Sequence, residues 1–136
     1  MIHLEIYIDG ASQGNPGHSG VGVVIYQNGL RIKSVSNYIG IATNNVAEYT
    51  ALIYALEEAL LLKAKSLKIN TDSQLLARQL NKIYKVKHPG IINLYNRAVH
   101  LLTGFEKVLI NHIPREENSL ADKLATQAVN ATLKKV

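Results

Sequence analysis

The order of strand-like and helix-like segments is the feature of this sequence that most limits its possible folds. Residues 21–26 are mostly β-branched and apolar, and they lead through Asn28-Gly29, a dipeptide typical of tight hairpin turns, into a second strand-like segment at 30–38. Residues 2–9 alternate between apolar and polar side chains. The first third of the chain therefore predicts three antiparallel strands in succession.

After residue 42 the pattern changes to helices that alternate with strands. The predicted elements are a helix from Thr43 or Asn44 to about Lys63, a strand at 67–71, helices at 73–82 and 91–102, a strand at 107–111 and a helix from Ser119. Short crossovers through helices require the strands they join to be parallel. The sequence therefore predicts an α/β fold with a five-stranded mixed sheet, in which an antiparallel three-stranded meander adjoins parallel strands and helices flank both.

Composition narrows the class of protein further. With 136 residues, 47% of them hydrophobic, we expect one domain spanning residues 1–136. The chain contains no cysteine, which excludes disulfides and zinc-thiolate sites. We expect a soluble, cytoplasmic protein with no membrane partner, because Glu57 and Glu58 interrupt its longest apolar segment. The net charge of +5 favours a polyanionic partner.

Four acidic residues occupy positions where an unpaired charge is unfavourable. Asp9 and Asp72 end strand-like segments, and Glu48 shares an apolar helical stripe with Leu52. Asp122 follows the start of the last helix. Carboxylates gathered in one place repel one another unless a cation holds them together. The pattern indicates a divalent metal site.

Each of these acids also has a purely structural interpretation. Asp9 precedes Gly10 and is compatible with a turn, and Asp72 is compatible with a helix N-cap. Ser119 and Asp122 match the capping-box pattern. Glu48 is harder to explain in this way, because no basic residue lies one helical turn away. All four structural interpretations must hold together for the metal site to be wrong.

Four segments, in order, resemble type 1 ribonuclease H. They are DGASQGNPG at 9–17, TNNVAE at 43–48, TDSQ at 71–74, and His112 followed by Asp122 within 112–122. The resemblance extends over nearly the whole chain. It implies an endoribonuclease that hydrolyses the RNA strand of RNA/DNA hybrids and leaves 5′-phosphate and 3′-hydroxyl ends.

The resemblance also implies a role for each acidic residue in two-metal catalysis. Asp9 would bridge both ions, Asp122 would share the ion that activates water, and Glu48 and Asp72 would hold the ion that faces the leaving oxygen. Mg²⁺ is the expected metal, with Mn²⁺ as a substitute, because the ligands are carboxylates. His112 would carry protons, since imidazole titrates near neutral pH. The alternative for His112 is a surface residue with no catalytic role.

Substrate contacts are likewise implied by the resemblance, which assigns recognition of the 2′-hydroxyl to small polar residues near the metals. These residues are Ser12, Gln13, Asn15, Asn44, Asn45 and Gln74. The alternatives are a plain turn at 14–17 and a helix cap at Asn44. The expected partner is an RNA/DNA hybrid, bound by a monomer.

Two departures from the family pattern affect substrate choice. Relatives bind a DNA phosphate in a pocket of polar groups. Of these groups only Thr43 is present in this chain, and Ile41 and Ile91 occupy the other positions. Double-stranded RNA is therefore a second candidate partner. Lys85 and Lys87, in a polar turn at 84–90, stand where relatives carry a longer basic protrusion. We expect both lysines to contact phosphates.

Two other functions are compatible with parts of this sequence. An actin-like phosphotransferase would need a nucleotide cleft between two domains, for which this chain is too short. A catalytically weak or silent nucleic-acid-binding module is the main alternative, and the complete set of four acids argues against it. The sequence therefore predicts a metal-dependent ribonuclease H.

Overall fold

The computed structural model describes residues 1–83 and 85–134, so Tyr84 and residues 135–136 lie outside the description. Within the described residues the chain forms five strands, four α-helices and one short 3₁₀ turn. They are β1 (His3–Gly14), β2 (Gly17–Gln27), β3 (Leu30–Ala42), α1 (Asn44–Leu61), β4 (Ser66–Thr71), α2 (Gln74–Leu80), α3 (Pro89–Leu102), β5 (Lys107–His112), the 3₁₀ turn (Arg115–Glu117) and α4 (Ser119–Leu133).

The strands form one mixed sheet in the order β3-β2-β1-β4-β5. The pairs β1–β2 and β2–β3 are antiparallel, whereas β1–β4 and β4–β5 are parallel. This arrangement confirms the predicted α/β sheet with its antiparallel meander and parallel strands. It also places β1 at the centre, between the two kinds of pairing.

Strand β1 is longer than the sequence pattern predicted. We expected it to end at Asp9, but it continues to Gly14. Its parallel pairing with β4 stops at Ile8 opposite Thr71, while its antiparallel pairing with β2 continues to Gly14 opposite Gly17. The glycine and polar residues after Asp9 have low strand propensity, and the ladder with β2 overrides it. Asp9 therefore lies where one neighbouring strand ends and the other continues.

The two helices that begin next to predicted site residues are capped by hydroxyl side chains. Thr43 caps α1, and its Oγ1 accepts a hydrogen bond of 3.2 Å from the backbone N–H of Val46. Ser73 caps α2, and its Oγ accepts one of 3.2 Å from the N–H of Leu76. The N-cap interpretation of Asp72 is therefore wrong, and its carboxylate is left for another role.

The starts of α3 and α4 correct two further expectations. Helix α3 begins at Pro89 rather than residue 91, because a proline at the first helical position needs no hydrogen-bond acceptor. Helix α4 begins at Ser119 as expected, but Asn118 occupies the cap position. Ser119 is therefore the first helical residue, and the capping-box interpretation of Asp122 is wrong.

Helices cover both faces of the sheet. A Cβ on Gly10 would meet the backbone of α1 at Ala47, whereas one on Gly22 would meet the backbone of α4 at Ala121. Gly10 pairs with Val21, the neighbour of Gly22 in β2, so the two glycines face opposite sides. The core lies mainly between the sheet and α1, where Leu4, Ile6, Ile8, Leu52, Leu56 and Ile69 are fully buried.

In the described part of the chain, no helix combines the length and the hydropathy that a transmembrane span requires.

The close contact at Gly22 yields a test of how α4 is positioned. A Cβ at Gly22 would overlap the carbonyl oxygen of Ala121, so Gly22→Ala should push α4 away from the sheet. We expect the free energy of unfolding to fall by about 1–3 kcal/mol, as for other overpacked sites. Urea denaturation measures this loss.

Ser34→Ala on the neighbouring strand is the control, because Ser34 is exposed. Its effect should stay within about 0.5 kcal/mol. Equal stability of Gly22→Ala and wild type would show that the helix is not held at this distance.

Candidate active site

Three carboxylates from different elements converge at the end of the parallel pairing. Asp9 comes from β1, Glu48 from α1, and Asp72 directly follows β4. Each offers one oxygen atom, and these three atoms lie within 4.8 Å of one another. Asp9 is only 6% exposed and Glu48 only 8%. The structure thus brings together three of the four acids that the sequence singled out.

The backbone of β1 positions Glu48. The N–H of Gly10 donates a hydrogen bond to Glu48 Oε1, which holds the carboxylate beside the strand. Helix α1 approaches so closely here that a Cβ on Gly10 would lie 2.5 Å from the backbone nitrogen of Glu48. Only glycine allows this approach. Ser73 also hydrogen-bonds the Glu48 side chain.

Burial and mutual repulsion keep protons on this cluster. Burial, together with the charges of Glu48 and Asp72, raises the pKa of Asp9 to about 10. Burial also raises the pKa of Glu48 to about 7, although the hydrogen bonds from Gly10 and Asp9 oppose that shift. The cluster therefore binds protons near neutral pH, and a divalent cation would replace them.

Asp72 lies in a more mixed environment. Burial raises its pKa, whereas the Asn118 hydrogen bond and the positive charge of Arg115 lower it. Asn118 Nδ2 donates to Asp72 Oδ2 at 3.3 Å and to the carbonyl oxygen of Ile8 at 2.8 Å. One amide therefore ties the start of α4 to Asp72 after β4 and to Ile8, where the parallel pairing of β1 ends. Asn118 Oδ1 is buried and has no hydrogen-bond partner.

Asp122 projects from the first turn of α4 toward the same site. It hydrogen-bonds the Asp9 carboxyl, and its negative charge raises the pKa of Asp72. It is half-buried and is not a member of the three-residue cluster around Asp9. Asp9 therefore interacts with both Glu48 and Asp122.

An open cavity of about 590 Å³ lies above these carboxylates. Four of the predicted substrate-binding residues line it, namely Ser12, Gln13, Asn44 and Asn45. The cavity is not lined by the other five predicted substrate-binding residues, which are Asn15, Thr43, Gln74, Lys85 and Lys87, or by the predicted proton carrier, His112.

Two of the residues outside the cavity stabilise local structure. Asn15 Oδ1 accepts a 3.0 Å hydrogen bond from the backbone N–H of Asn44, which fixes the β1–β2 turn to the start of α1. Thr43 caps that helix, so the cap interpretation of Asn44 is wrong. Gln74 is exposed at the first position of α2.

Lys85 and Lys87 are exposed in the segment between α2 and α3. Lys85 lines a different cavity, together with Lys82 and Tyr95. Neither lysine lines the cavity above the carboxylates, and their contact with substrate stays a prediction.

His112 is the last residue of β5, where it pairs with Thr71, and its side chain is exposed. Its positive charge, when it is protonated, lowers the pKa of Asp72. The imidazole is therefore close enough to influence the cluster without belonging to it.

Sequence reasoning missed several residues that complete the site. Arg115, Ser73, Thr126 and Val129 line the cavity, and Asn118 holds Asp72. Arg115 could have been noticed, because it follows closely after His112 at the predicted end of a strand. Nothing in the sequence pattern distinguished the others.

Comparison with known proteins places this site in context. Residues 7–128 match the protein family described as reverse transcriptase-like. The chain is 39% identical over 132 residues to the Bifunctional protein Rv2228c of Mycobacterium tuberculosis, a match that covers 96% of this chain and 36% of that protein. It is 42% identical over 128 residues to the Ribonuclease HI of Halobacterium salinarum, covering 93% of this chain and 64% of that protein. The chain thus spans about a third of the first relative and just under two thirds of the second.

A solved structure supports the same similarity. LC11-RNase H1 in complex with an RNA/DNA hybrid matches this fold with a TM-score of 0.90 at 39% sequence identity. The match covers 96% of this chain and 99% of that chain.

The raised pKa values predict how the metal-free protein responds to pH. Asp9 and Glu48 have ordinary pKa values of 3.8 and 4.5, and both values are raised in the folded state. The folded state therefore binds more protons than the unfolded state, and stability should fall as pH rises from about 4 through 7 and beyond. Asp9→Asn removes one ionisation, so it should flatten this slope and stabilise the metal-free protein at pH 7 by at least about 1 kcal/mol.

Urea denaturation in chelator at several pH values tests this expectation. Added Mg²⁺ should stabilise the wild type but have little effect on Asp9→Asn. Glu106→Gln, which alters an exposed carboxylate elsewhere, should keep the wild-type slope. An Asp9→Asn protein that follows the wild-type pH dependence would contradict the repulsion described here.

Proposed function

The chain belongs to the type 1 ribonuclease H family, and on that premise we propose that it is an endoribonuclease that hydrolyses the RNA strand of RNA/DNA hybrids. The observation that carries the proposal is the convergence of Asp9, Glu48 and Asp72 within 4.8 Å at the floor of an open cavity. Cleavage would leave 5′-phosphate and 3′-hydroxyl ends.

The carboxylates suit divalent cations. Their oxygen atoms are hard ligands, and their raised pKa values reflect a repulsion that a bound cation would relieve. We propose two Mg²⁺ ions, for which Mn²⁺ would substitute. When bound, the ions would activate the attacking water and neutralise charge on the phosphate and the leaving oxygen.

The proposed division of roles follows the contacts of Asp9. Because Asp9 hydrogen-bonds both Glu48 and Asp122, it is the residue suited to contact both ions. Asp122 would complete the ligands on the α4 side, and Glu48 with Asp72 those on the other. Asn118 would orient Asp72 through its 3.3 Å hydrogen bond.

The proton carrier and the nearby arginine would act from the β5 side of the cavity. His112 is exposed and influences Asp72, which suits a group that exchanges protons with solvent. Arg115 lines the cavity, and its guanidinium presents donors that match phosphate oxygens. Both would contact the substrate rather than a metal ion.

Support for a hybrid substrate comes from the relative solved in complex with one and from the polar residues that line the cavity. Ser12, Gln13, Asn44 and Asn45 offer the small donors and acceptors that reading a 2′-hydroxyl requires. Asn15 would act indirectly, because its Oδ1 already accepts from Asn44. The +5 net charge favours the polyanion overall.

Selectivity for DNA as the complementary strand would be weak. Ile41 is 63% exposed and apolar, Ile91 is buried, and the Thr43 hydroxyl already caps α1. Few polar groups therefore remain to bind a DNA phosphate at these positions, so double-stranded RNA is proposed as a second substrate. Gln74, Lys85 and Lys87 would add contacts along either duplex. We further propose that the protein acts as a monomer in the cytoplasm.

A substrate panel tests the activity. Labelled RNA/DNA hybrid, double-stranded RNA, single-stranded RNA and duplex DNA would each be incubated with Mg²⁺ or with chelator. We expect cleavage of the hybrid in Mg²⁺, weaker cleavage of double-stranded RNA and no cleavage in chelator. Gel mobility before and after phosphatase treatment identifies the 5′-phosphate ends.

Asp9→Asn should abolish cleavage while leaving hybrid binding detectable, and Glu106→Gln should cleave normally. Hydrolysis that persists in chelator would refute metal-dependent catalysis. Binding without cleavage by the wild type would favour the catalytically silent module instead.

His112→Ala separates the histidine from the metal ligands. Because His112 lies outside the carboxylate cluster, the variant should bind Mg²⁺ as the wild type does in calorimetry. Its turnover should fall by roughly 10²–10³, in keeping with loss of one acid–base group. The dependence of turnover on pH near neutrality should also change.

Loss of metal binding in this variant would make His112 a ligand. Normal turnover at every pH would remove it from the mechanism.

A further inference from the structure

A second cavity, of about 400 Å³, lies on the α4 side of the sheet. It is bounded by β1, β2 and the start of α4, and it shares no lining residue with the cavity above the carboxylates. Its volume is within the range of small-molecule sites in proteins. Nothing in the proposed ribonuclease mechanism uses it.

Two tyrosines form one wall of this second cavity. Tyr7 and Tyr26 meet edge to face, with ring centroids 5.7 Å apart and an interplanar angle of 79°. Such rings attract cations through their negative faces.

The charged groups of the second cavity are predominantly acidic. Glu5 and Glu117 both line it, and Glu117 makes no ion pair with any residue from 1–83 or 85–134. Burial, Glu5 and Glu117 raise the pKa of Tyr7, so the fields of both carboxylates reach its hydroxyl. The nearby cation is Lys68, which lies 3.6 Å from Glu5 Oε2. That oxygen also accepts from Asn70 at 3.0 Å.

An unpartnered acceptor completes the wall nearest the active site. Asn118 is 1% exposed and lines the second cavity, and its Oδ1 has no hydrogen-bond partner. Because Nδ2 is directed at Ile8 and Asp72, Oδ1 is on the other side of the amide. A buried carbonyl oxygen of this kind calls for a donor.

We propose that the second cavity binds the primary ammonium group of a small aliphatic amine. The ammonium would donate to Asn118 Oδ1 and to the Glu5 or Glu117 carboxylate, with its carbon chain against the tyrosine rings. Nucleic acid does not suit this cavity, because its carboxylates repel phosphate. A divalent cation fits less well, because aromatic walls supply no oxygen ligands in place of its tightly held waters.

The proposal is tested by NMR titration of the isotope-labelled 136-residue chain with n-butylamine in saturating Mg²⁺. Mg²⁺ is present because the Asp9 cluster would otherwise attract the amine. We expect a saturable shift of the Asn118 side-chain amide signals and no such shift with n-butanol, which has nearly the same shape without the charge. Shifts that centre on Asp9 and vanish in Mg²⁺ would overturn the proposal.

Variants test the individual contacts. Glu117→Gln should weaken amine binding roughly three- to tenfold, and Tyr7→Leu roughly two- to fivefold. Lys68→Gln should tighten binding several-fold, because it removes the internal competitor for Glu5. Glu106→Gln is the control and should bind as the wild type does. Unchanged affinity in both Glu117→Gln and Lys68→Gln would refute the site, whether or not Tyr7→Leu folds.

A primary ammonium group reaches a protein either as a free amine or as a lysine side chain of another chain. A capped peptide with a single lysine therefore forms the second arm of the titration. Saturable binding of either probe at Asn118 supports the site, and the tighter probe identifies the source. Failure of both probes to bind would overturn it.

Discussion

The repulsion among Asp9, Glu48 and Asp72 is the constraint on which the rest of the structure depends. Buried carboxylates so close together destabilise the fold unless protons or cations neutralise them. The surrounding contacts prevent the groups from separating, because Gly10 admits α1 to the strand and Asn118 holds Asp72. The sheet and helices thus hold together a set of carboxylates that repel one another, and a bound cation would relieve this repulsion and stabilise the fold.

The order of elements could be predicted because each signal is local. The Asn28-Gly29 turn, the cap at Thr43 and the change of periodicity after residue 42 all lie within a few residues of the structure they specify. The length of β1 could not be predicted in the same way. Its last residues, up to Gly14, are held by pairing with β2, and nothing in their own propensities favours a strand.

The acidic residues of the site were predictable for a related reason. Each lies at a position in the sequence where an unpaired negative charge would be unfavourable, and this local signal indicates a bound cation. Arg115 and Asn118 are ordinary loop residues in sequence. Only the return of the chain to Ile8 in β1 and to the end of β4 places Asn118 against its partners and Arg115 at the cavity. Asn15 makes a contact that the sequence did not indicate, because its side-chain oxygen accepts a hydrogen bond from the backbone N–H of Asn44. The contact to substrate that the family resemblance assigns to Asn15 stays a prediction.

The distribution of charge implies that divalent cations would have to bind at the site before or together with a phosphate. The chain carries a net +5, yet acids are concentrated beneath the cavity that the proposed polyanionic substrate would approach. Without cations the ionised cluster repels a phosphate, and its protonated form lacks the charge to attract one. Bound divalent cations would reverse the sign of the local field, so cation and nucleic acid would each increase the affinity for the other, as linkage requires. On the proposed function, the positive charge of the remaining surface would then concentrate the duplex nearby, while the acidic site would control whether a phosphate can enter.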